Sequence, residues 1–201
     1  MKKIESEDEL SLFTEKINKS NFKHVLVQEY INTNKKIFIT HQVYLHNGVI
    51  LGSYTGNQKR RLSQGLTSFL DEIKDQNLKI KINDYSELFL SGINYTGFIE
   101  FEYIAKSDNF DIIFMETNTR PCGTHSVLNY KFENLSEIFN NSPNPPYLIE
   151  SKKNITWVNI VRDIKARIQN RDFKNLNQFF TAKKDVFDRN DLKPFIMQFF
   201  K

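Results

Sequence analysis

Glu102, Glu116, Asn118 and Arg120 are the residues of this chain whose types and spacing can do chemistry. They lie in one stretch, YTGFIEFEYIAKSDNFDIIFMETNTRPCGTH, running from Tyr95 to His125. Two carboxylates and an amide oxygen are hard ligands of the kind Mg²⁺ takes while keeping several waters and bridging to substrate phosphates. A guanidinium two residues beyond the asparagine can hold a phosphate through a bidentate fork. Alternation with a period of two puts Ile99, Phe101 and Tyr103 on one face of a strand and Glu100 and Glu102 on the other. In the next strand the same rule gives Ile112, Phe114, Glu116 and Asn118 a common face. If the strands pair through the turn at 105–110, Glu102 and Glu116 point into one cleft. The same residues also suit the solvated face of an edge hairpin followed by ordinary turn chemistry, and residue types alone leave both readings open.

The elements that must position these groups follow from the pattern of apolar residues. Ser6 caps a helix over 7–19, with Leu10, Phe13 and Ile17 on one stripe. HVLVQEYI (24–31) reads as a strand, as does IFITHQVYLH (37–46). Asn47-Gly48 is a hairpin turn, VILGSYTG returns as the partner strand, and KRR (59–61) follows just beyond it. Leu66, Phe69, Leu70 and Ile73 fall on a helical stripe, which predicts a helix over 66–75, and a second is expected over 84–91. Residues 98–104 and 111–117 read as another hairpin. A short helix around 131–139 ends at the Pro-rich loop 140–146. A further helix is expected over 155–169, with Trp157 on its apolar stripe and so in the core. The fold class is therefore α+β, an antiparallel sheet with packed helices. There is no GxGxxG and no GxxxxGK[ST], and strands that come as hairpins exclude a doubly wound parallel sheet.

Composition sets the outer bounds. The 201 residues are 39% apolar with 18 Phe and 8 Tyr, enough for a folded aromatic core. A net charge of +4 with mixed signs and short basic clusters gives no nucleic-acid signature. The one cysteine, Cys122, excludes an internal disulfide and a CxxC zinc knuckle. With no His/Asp constellation around it, it reads as a small hydrophobe rather than a nucleophile. No run reaches the roughly 18 apolar residues of a membrane span, and MKKIESEDELSLF turns acidic before any apolar signal region. A cytoplasmic protein with no membrane partner is expected.

The segment GFIEFEY…DIIFMETNTRPCGTH resembles the metal-binding end of ATP-grasp ligases, in which an acid, a variable turn and E-x-N-x-R follow in order. The resemblance extends over roughly residues 5 to 195. It implies that Glu102, Glu116 and Asn118 hold Mg²⁺ or Mn²⁺ on the phosphates of ATP. Arg120 matches an arginine that meets phosphate or the acyl-phosphate intermediate. VLVQEYI resembles the hinge strand whose backbone meets adenine, which assigns Gln28, Glu29, Tyr30 and Ile31 to the nucleotide. The hairpin 37–55 followed by KRR resembles the strand pair leading to a phosphate-facing cation, hence Lys59 or Arg61. His125 falls near the acceptor position, and DVFDRNDLKPF resembles the closing Asp–Pro segment of carboxylate–amine ligases.

The implied activity is Mg-ATP-dependent activation of a small-molecule carboxylate as an acyl phosphate, which an amine then attacks. The chain would be one partial ATP-grasp-like domain over 1–201, with 5–65 a remnant of the nucleotide-binding lobe and 66–201 the metal-site lobe. It departs from the family in lacking a Gly-rich loop before Val25 and in having Lys35 where a ribose-binding acid is expected. A cation cannot accept hydrogen bonds from ribose hydroxyls. The N-terminal half would come from a second polypeptide, or the chain would act as a homo-oligomer; alone it would be a weak or inactive ligase. The alternatives are a degenerate, non-catalytic ATP-grasp domain that binds a partner, and an unrelated α+β binding domain.

Overall fold

The computed structural model describes residues 3–22, 24–29, 31, 36–62, 65–106, 111–139, 147–188 and 190–198. Two compact units are present, Met1–Asn34 and Lys35–Lys201.

The first unit contains α1 (Glu7–Asn18). Ser6 Oγ accepts from the Glu9 amide at 3.2 Å, and the Glu9 carboxylate accepts from the Glu5 amide at 3.0 Å. Glu7, Asp8 and Glu9 place negative charge on the positive end of the helix dipole. The strand expected over 24–31 is not formed at 24–29 or 31, and Tyr30 lies outside the described residues. Val25, Leu26 and Val27 have strand-forming side chains but are exposed. A strand exists only by pairing, and among its described residues this unit offers α1 and no other strand.

In the second unit, seven strands form one sheet among the described residues. They are β1 (Lys36–His46), β2 (Val49–Arg61), β3 (Thr67–Glu72), β4 (Gly97–Lys106), β5 (Ile112–Asn118), β6 (Thr156–Val158) and β7 (Lys183–Lys184), in the order β5-β4-β1-β2-β3-β6-β7. All neighbours run antiparallel except β6 and β7. The β1–β2 turn is made by Asn47 and Gly48 with φ of 50° and 79°, the left-handed pair a tight hairpin requires. A side chain at Gly48 would also meet the Ile93 carbonyl at 2.9 Å.

Helix α2 (Gln76–Leu90) covers one face of the sheet. Asp75 caps it, its carboxylate accepting from the Leu78 amide at 3.0 Å. Leu78, Ile82 and Leu90 pack on Ile39, Val43, Leu45, Ile99, Phe101 and Tyr103. On the opposite face, Tyr44, Tyr54 and Phe98 pack under Val127, Leu128, Phe132 and Trp157. Those residues come from α3 (Leu128–Lys131), the 3₁₀ turn before it, the capping Phe132 just after it, and β6. Helix α4 (Ile160–Asn170) is capped by Asn159, and α5 (Leu176–Thr181) and α6 (Lys193–Met197) follow.

Two expected helices are corrected. Residues 66–75 are largely β3, because Thr67–Leu70 are buried on both sides and the helical stripe is the shadow of a doubly covered strand. The helix expected over 155–169 begins only at Ile160: Trp157 and Val158 belong to β6, pairing with Leu70 and Phe69. KRR lies within β2 rather than after it. The helix expected over 84–91 starts earlier, at Gln76, and the loop 140–146 lies outside the described residues.

Candidate metal and phosphate site

Strand β4 sits between β1 and β5, and the register fixes which side chains meet. Glu102 pairs with Thr40 on one side and Glu116 on the other; Glu100 pairs with Gln42 and Asn118. Alternation from Phe98 puts Glu100 and Glu102 on the face away from α2. Glu116 and Asn118 share that face through their partners.

The register slips once between Glu102 and Tyr103, so that Tyr103 pairs with Phe114 and Met115 is the extra residue of a β-bulge. The bulge corrects the expectation that Ile112, Phe114, Glu116 and Asn118 share a face. Phe114 points to the α2 side, where its ring lies 5.6 Å from Phe89 and 5.9 Å from Tyr103. Ile112 packs there as well. One inserted residue thus lets an apolar half-strand face the helix and a polar half-strand face the cleft.

Glu100 is the residue sequence reasoning passed over. It is buried, its Oε1 accepts from Thr40 Oγ1 at 2.7 Å, and its Oε2 accepts from Asn118 Nδ2 at 3.3 Å. The same amide donates to Glu116 Oε1 at 3.2 Å. Alternation already placed Glu100 beside Glu102, but only the register with Asn118 distinguishes the deeper carboxylate. Glu102 is pushed up to about 7 by burial first, then by the neighbouring charges of Glu100 and Glu116, while Arg61 and the Gln58 side chain pull it down. Three carboxylates thus crowd one face, and Arg61 is the cation that offsets them. Burial lowers the Arg61 guanidinium somewhat, and Glu102 and Glu116 hold it up. Its guanidinium carbon lies 4.1 Å from the centre of the Phe38 ring.

Lys59 is not brought to this group. It is the bulged residue of β2, between Gln58 paired with Leu70 and Arg60 paired with Phe69, and it is exposed. Arg60 is taken up elsewhere, in a buried ion pair with Asp163 on α4 at 2.8 Å. Arg120 is exposed and donates to the Pro121 carbonyl at 3.3 Å. It borders a crevice shared with Glu100, Gln42, Cys122 and His125. Gln28, Glu29 and Ile31 lie in the first unit, the first two exposed, while Tyr30 and Lys35 lie outside the described residues. Cys122 is pushed up to about 12, by burial first and by Glu100 next, which leaves the thiol protonated and unreactive.

The donor set fits a divalent cation in chemistry. It offers hard oxygens only, and rotating the Asn118 amide, whose orientation follows its hydrogen bonds, turns an oxygen toward the carboxylates. Among the described residues, no group of three or more His, Cys, Asp or Glu is gathered closely enough to hold a metal ion by itself. A cation here would need waters or phosphate oxygens to complete its shell.

No protein-family model matches the chain, and no curated protein matches it. Among solved structures it is similar to the biotin carboxylase–β,γ-ATP complex from Campylobacter jejuni, with 18% identity and a TM-score of 0.48 over 61% of this chain and 29% of that one. It is also similar to pyruvate carboxylase from Rhizobium etli with acetyl coenzyme A, at 16% identity and a TM-score of 0.45 over 54% of this chain and 11% of that one. A third is the urea carboxylase of Kluyveromyces lactis, at 15% identity and a TM-score of 0.44 over 62% of this chain and 12% of that one. The chain is thus similar over about half its length or somewhat more to biotin carboxylase and related carboxylase structures, and biotin carboxylase domains are ATP-grasp enzymes. It spans less than a third of any of these three chains. Likeness of this degree describes partial overlap of fold and nothing of activity.

Proposed function

We propose that the chain is an ATP-grasp-type ligase or the metal-site part of one, acting on a carboxylate and an amine with Mg²⁺ and ATP. The observation that carries the reading is the register placing Glu100, Glu102, Glu116 and Asn118 on one sheet face with Arg61 as their cation. Glu102, Glu116 and Asn118 would hold Mg²⁺ or Mn²⁺, with Glu100 behind them fixed by Thr40. When bound, the ion and nucleotide supply an electrophilic phosphorus and neutralise charge on the phosphate oxygens.

Arg61, held between Phe38 and the carboxylates, would orient the phosphates. Arg120 would stabilise the acyl phosphate formed when a substrate carboxylate oxygen attacks the γ-phosphorus and ADP leaves. An amine nitrogen then attacks the carbonyl carbon, loses a proton, and releases phosphate. Gln28 to Ile31 stay in the proposal as an adenine contact and Lys59 as an exposed phosphate-facing cation. A second polypeptide or a second copy would supply the rest of the nucleotide cover.

The alternative is a degenerate binding domain, favoured by the lack of a self-sufficient acid cluster among the described residues. ADP release from the purified chain, with and without candidate partner chains, separates the two. Turnover with a carboxylate and an amine that Glu116→Ala abolishes supports the ligase. Metal and nucleotide binding with no turnover in any combination supports the degenerate domain.

A further inference from the structure

The last turn of α2 carries the wrong charge for its position. A helix C-terminus favours cations, because the dipole makes it negative. Yet α2 has no basic residue in its last turn, and Glu87 stands there, exposed and with no ion-pair or hydrogen-bond partner among the described residues. This turn borders a groove of about 640 Å³ between α2 and the start of β2, open along one side. Val49, Ile50, Leu90 and Ile93 give it apolar walls, and Val49 and Ile93 are 61% and 45% exposed. So open a groove does not enclose a small molecule, whose sites cover roughly 70–90% of its surface. It suits a protruding helix that brings apolar side chains and a positive charge.

The chain itself presents such a helix. On α4, Ile164 and Ile168 are 43% and 62% exposed. At i and i+4 they lie one above the other on the outer face. Lys165 is exposed beside them, with no partner among the described residues. The inner face is held to the sheet by Asp163, which accepts from Arg60 and Ser68. The chain cannot fill its own groove. The groove adjoins Val49 at the start of β2, and Asp163 ties α4 to Arg60 near the end of the same strand. At the rise of an extended strand, the two positions stand about 35 Å apart.

We propose that α4 of a second copy of this chain docks in the groove at the end of α2, with Ile164 and Ile168 on the apolar walls and Lys165 against Glu87. The two patches are different surfaces, so the contact is head to tail. It uses no residue of the carboxylate face and stands without the ligase reading.

The test is analytical ultracentrifugation of the full chain in a concentration series reaching about 1 mM. The wild type should self-associate, and less so in high salt. Glu87→Lys and Lys165→Glu, both at exposed positions, should each keep the wild-type circular dichroism and weaken association at least about tenfold, because like charges then face each other. Mixed one to one, the two variants should associate with each other, since every groove again meets a helix of opposite charge. A wild type that stays monomeric throughout, association that Glu87→Lys leaves unchanged, or a mixture no more associated than its separate components would overturn the proposal.

Discussion

At the scale of single residues, His41 and Glu102 oppose each other in their response to acid. His41 is fully buried on the α2 side, with Nδ1 2.8 Å from Thr55 Oγ1 and no partner for Nε2 among the described residues. Burial lowers its pKa from 6.5 to about 3. Between those values the unfolded chain carries a proton that the folded chain refuses, so this histidine makes stability fall as pH drops. Glu102 is raised from 4.5 to about 7. The folded chain keeps a proton that the unfolded chain has lost, so stability falls as pH rises through that window. The two effects offset between roughly pH 4.5 and 6.5, each worth at most about 1.4 kcal/mol per pH unit. Glu102→Gln should uncover the histidine. Urea denaturation in chelator should show the variant gaining on wild type as pH rises from 4.5 to 8, and parallel curves would reject the assignment. Glu100 and Glu102 are equivalent by alternation, and only the hydrogen bonds that Glu100 accepts from Thr40 and Asn118 tell them apart.

At the scale of elements, local chemistry showed in the sequence where it was self-contained. The Asn47-Gly48 turn and the two hairpins could be read because turn residues and alternation act within a few positions. Segment 66–75 could not, because a strand buried on both faces has lost the alternation that marks it. The strand expected over 24–31 failed for the opposite reason: its side chains suit a strand, but pairing is a property of neighbours. The bulge at Met115 is likewise invisible to counting by twos, yet it decides which face Phe114 and Glu116 take. Because Met115 is the extra residue, deleting it should leave Phe114 opposite Tyr103 and Glu116 opposite Glu102. We expect that deletion to change stability by about 0.5 kcal/mol or less, the scale of surface changes that touch no core contact. Deleting Thr117 instead would turn Glu116 toward the α2 core and should unfold the hairpin or the chain. Thermal denaturation of the two deletions checks this, and similar losses from both would show that the bulge does not set the phase.

At the scale of the second unit, buried ion clusters tie the sheet to its helices. Asp163 of α4 is fully buried and accepts from Arg60 Nε, Arg167 Nε and Ser68 Oγ at 2.8, 2.8 and 3.1 Å. Glu72 of β3 accepts from Lys131 at 2.7 Å and from the Ile155 amide at 2.9 Å. Removing one member leaves uncompensated charge away from water, so Asp163→Ala should cost about 3–5 kcal/mol. Chemical denaturation measures it, and a loss below 1 kcal/mol would mean that water reaches the arginines. Arg60 accordingly reads as a structural cation although it stands next to Arg61, and the KRR triplet divides into three roles that its sequence does not distinguish.

The sheet face carrying Glu100, Glu102, Glu116 and Asn118 is proposed to bind a divalent cation together with nucleotide phosphates. Calorimetric titration with Mn²⁺, in the presence and absence of a non-hydrolysable ATP analogue, addresses it most directly. Weak binding without nucleotide is predicted, because the protein offers few ligands of its own, and tighter binding with it. The Glu102→Ala/Glu116→Ala double variant should lose at least tenfold in the nucleotide-bound titration while keeping its fold by circular dichroism. Indistinguishable titrations of wild type and double variant, with the analogue present, would show that these carboxylates hold no cation.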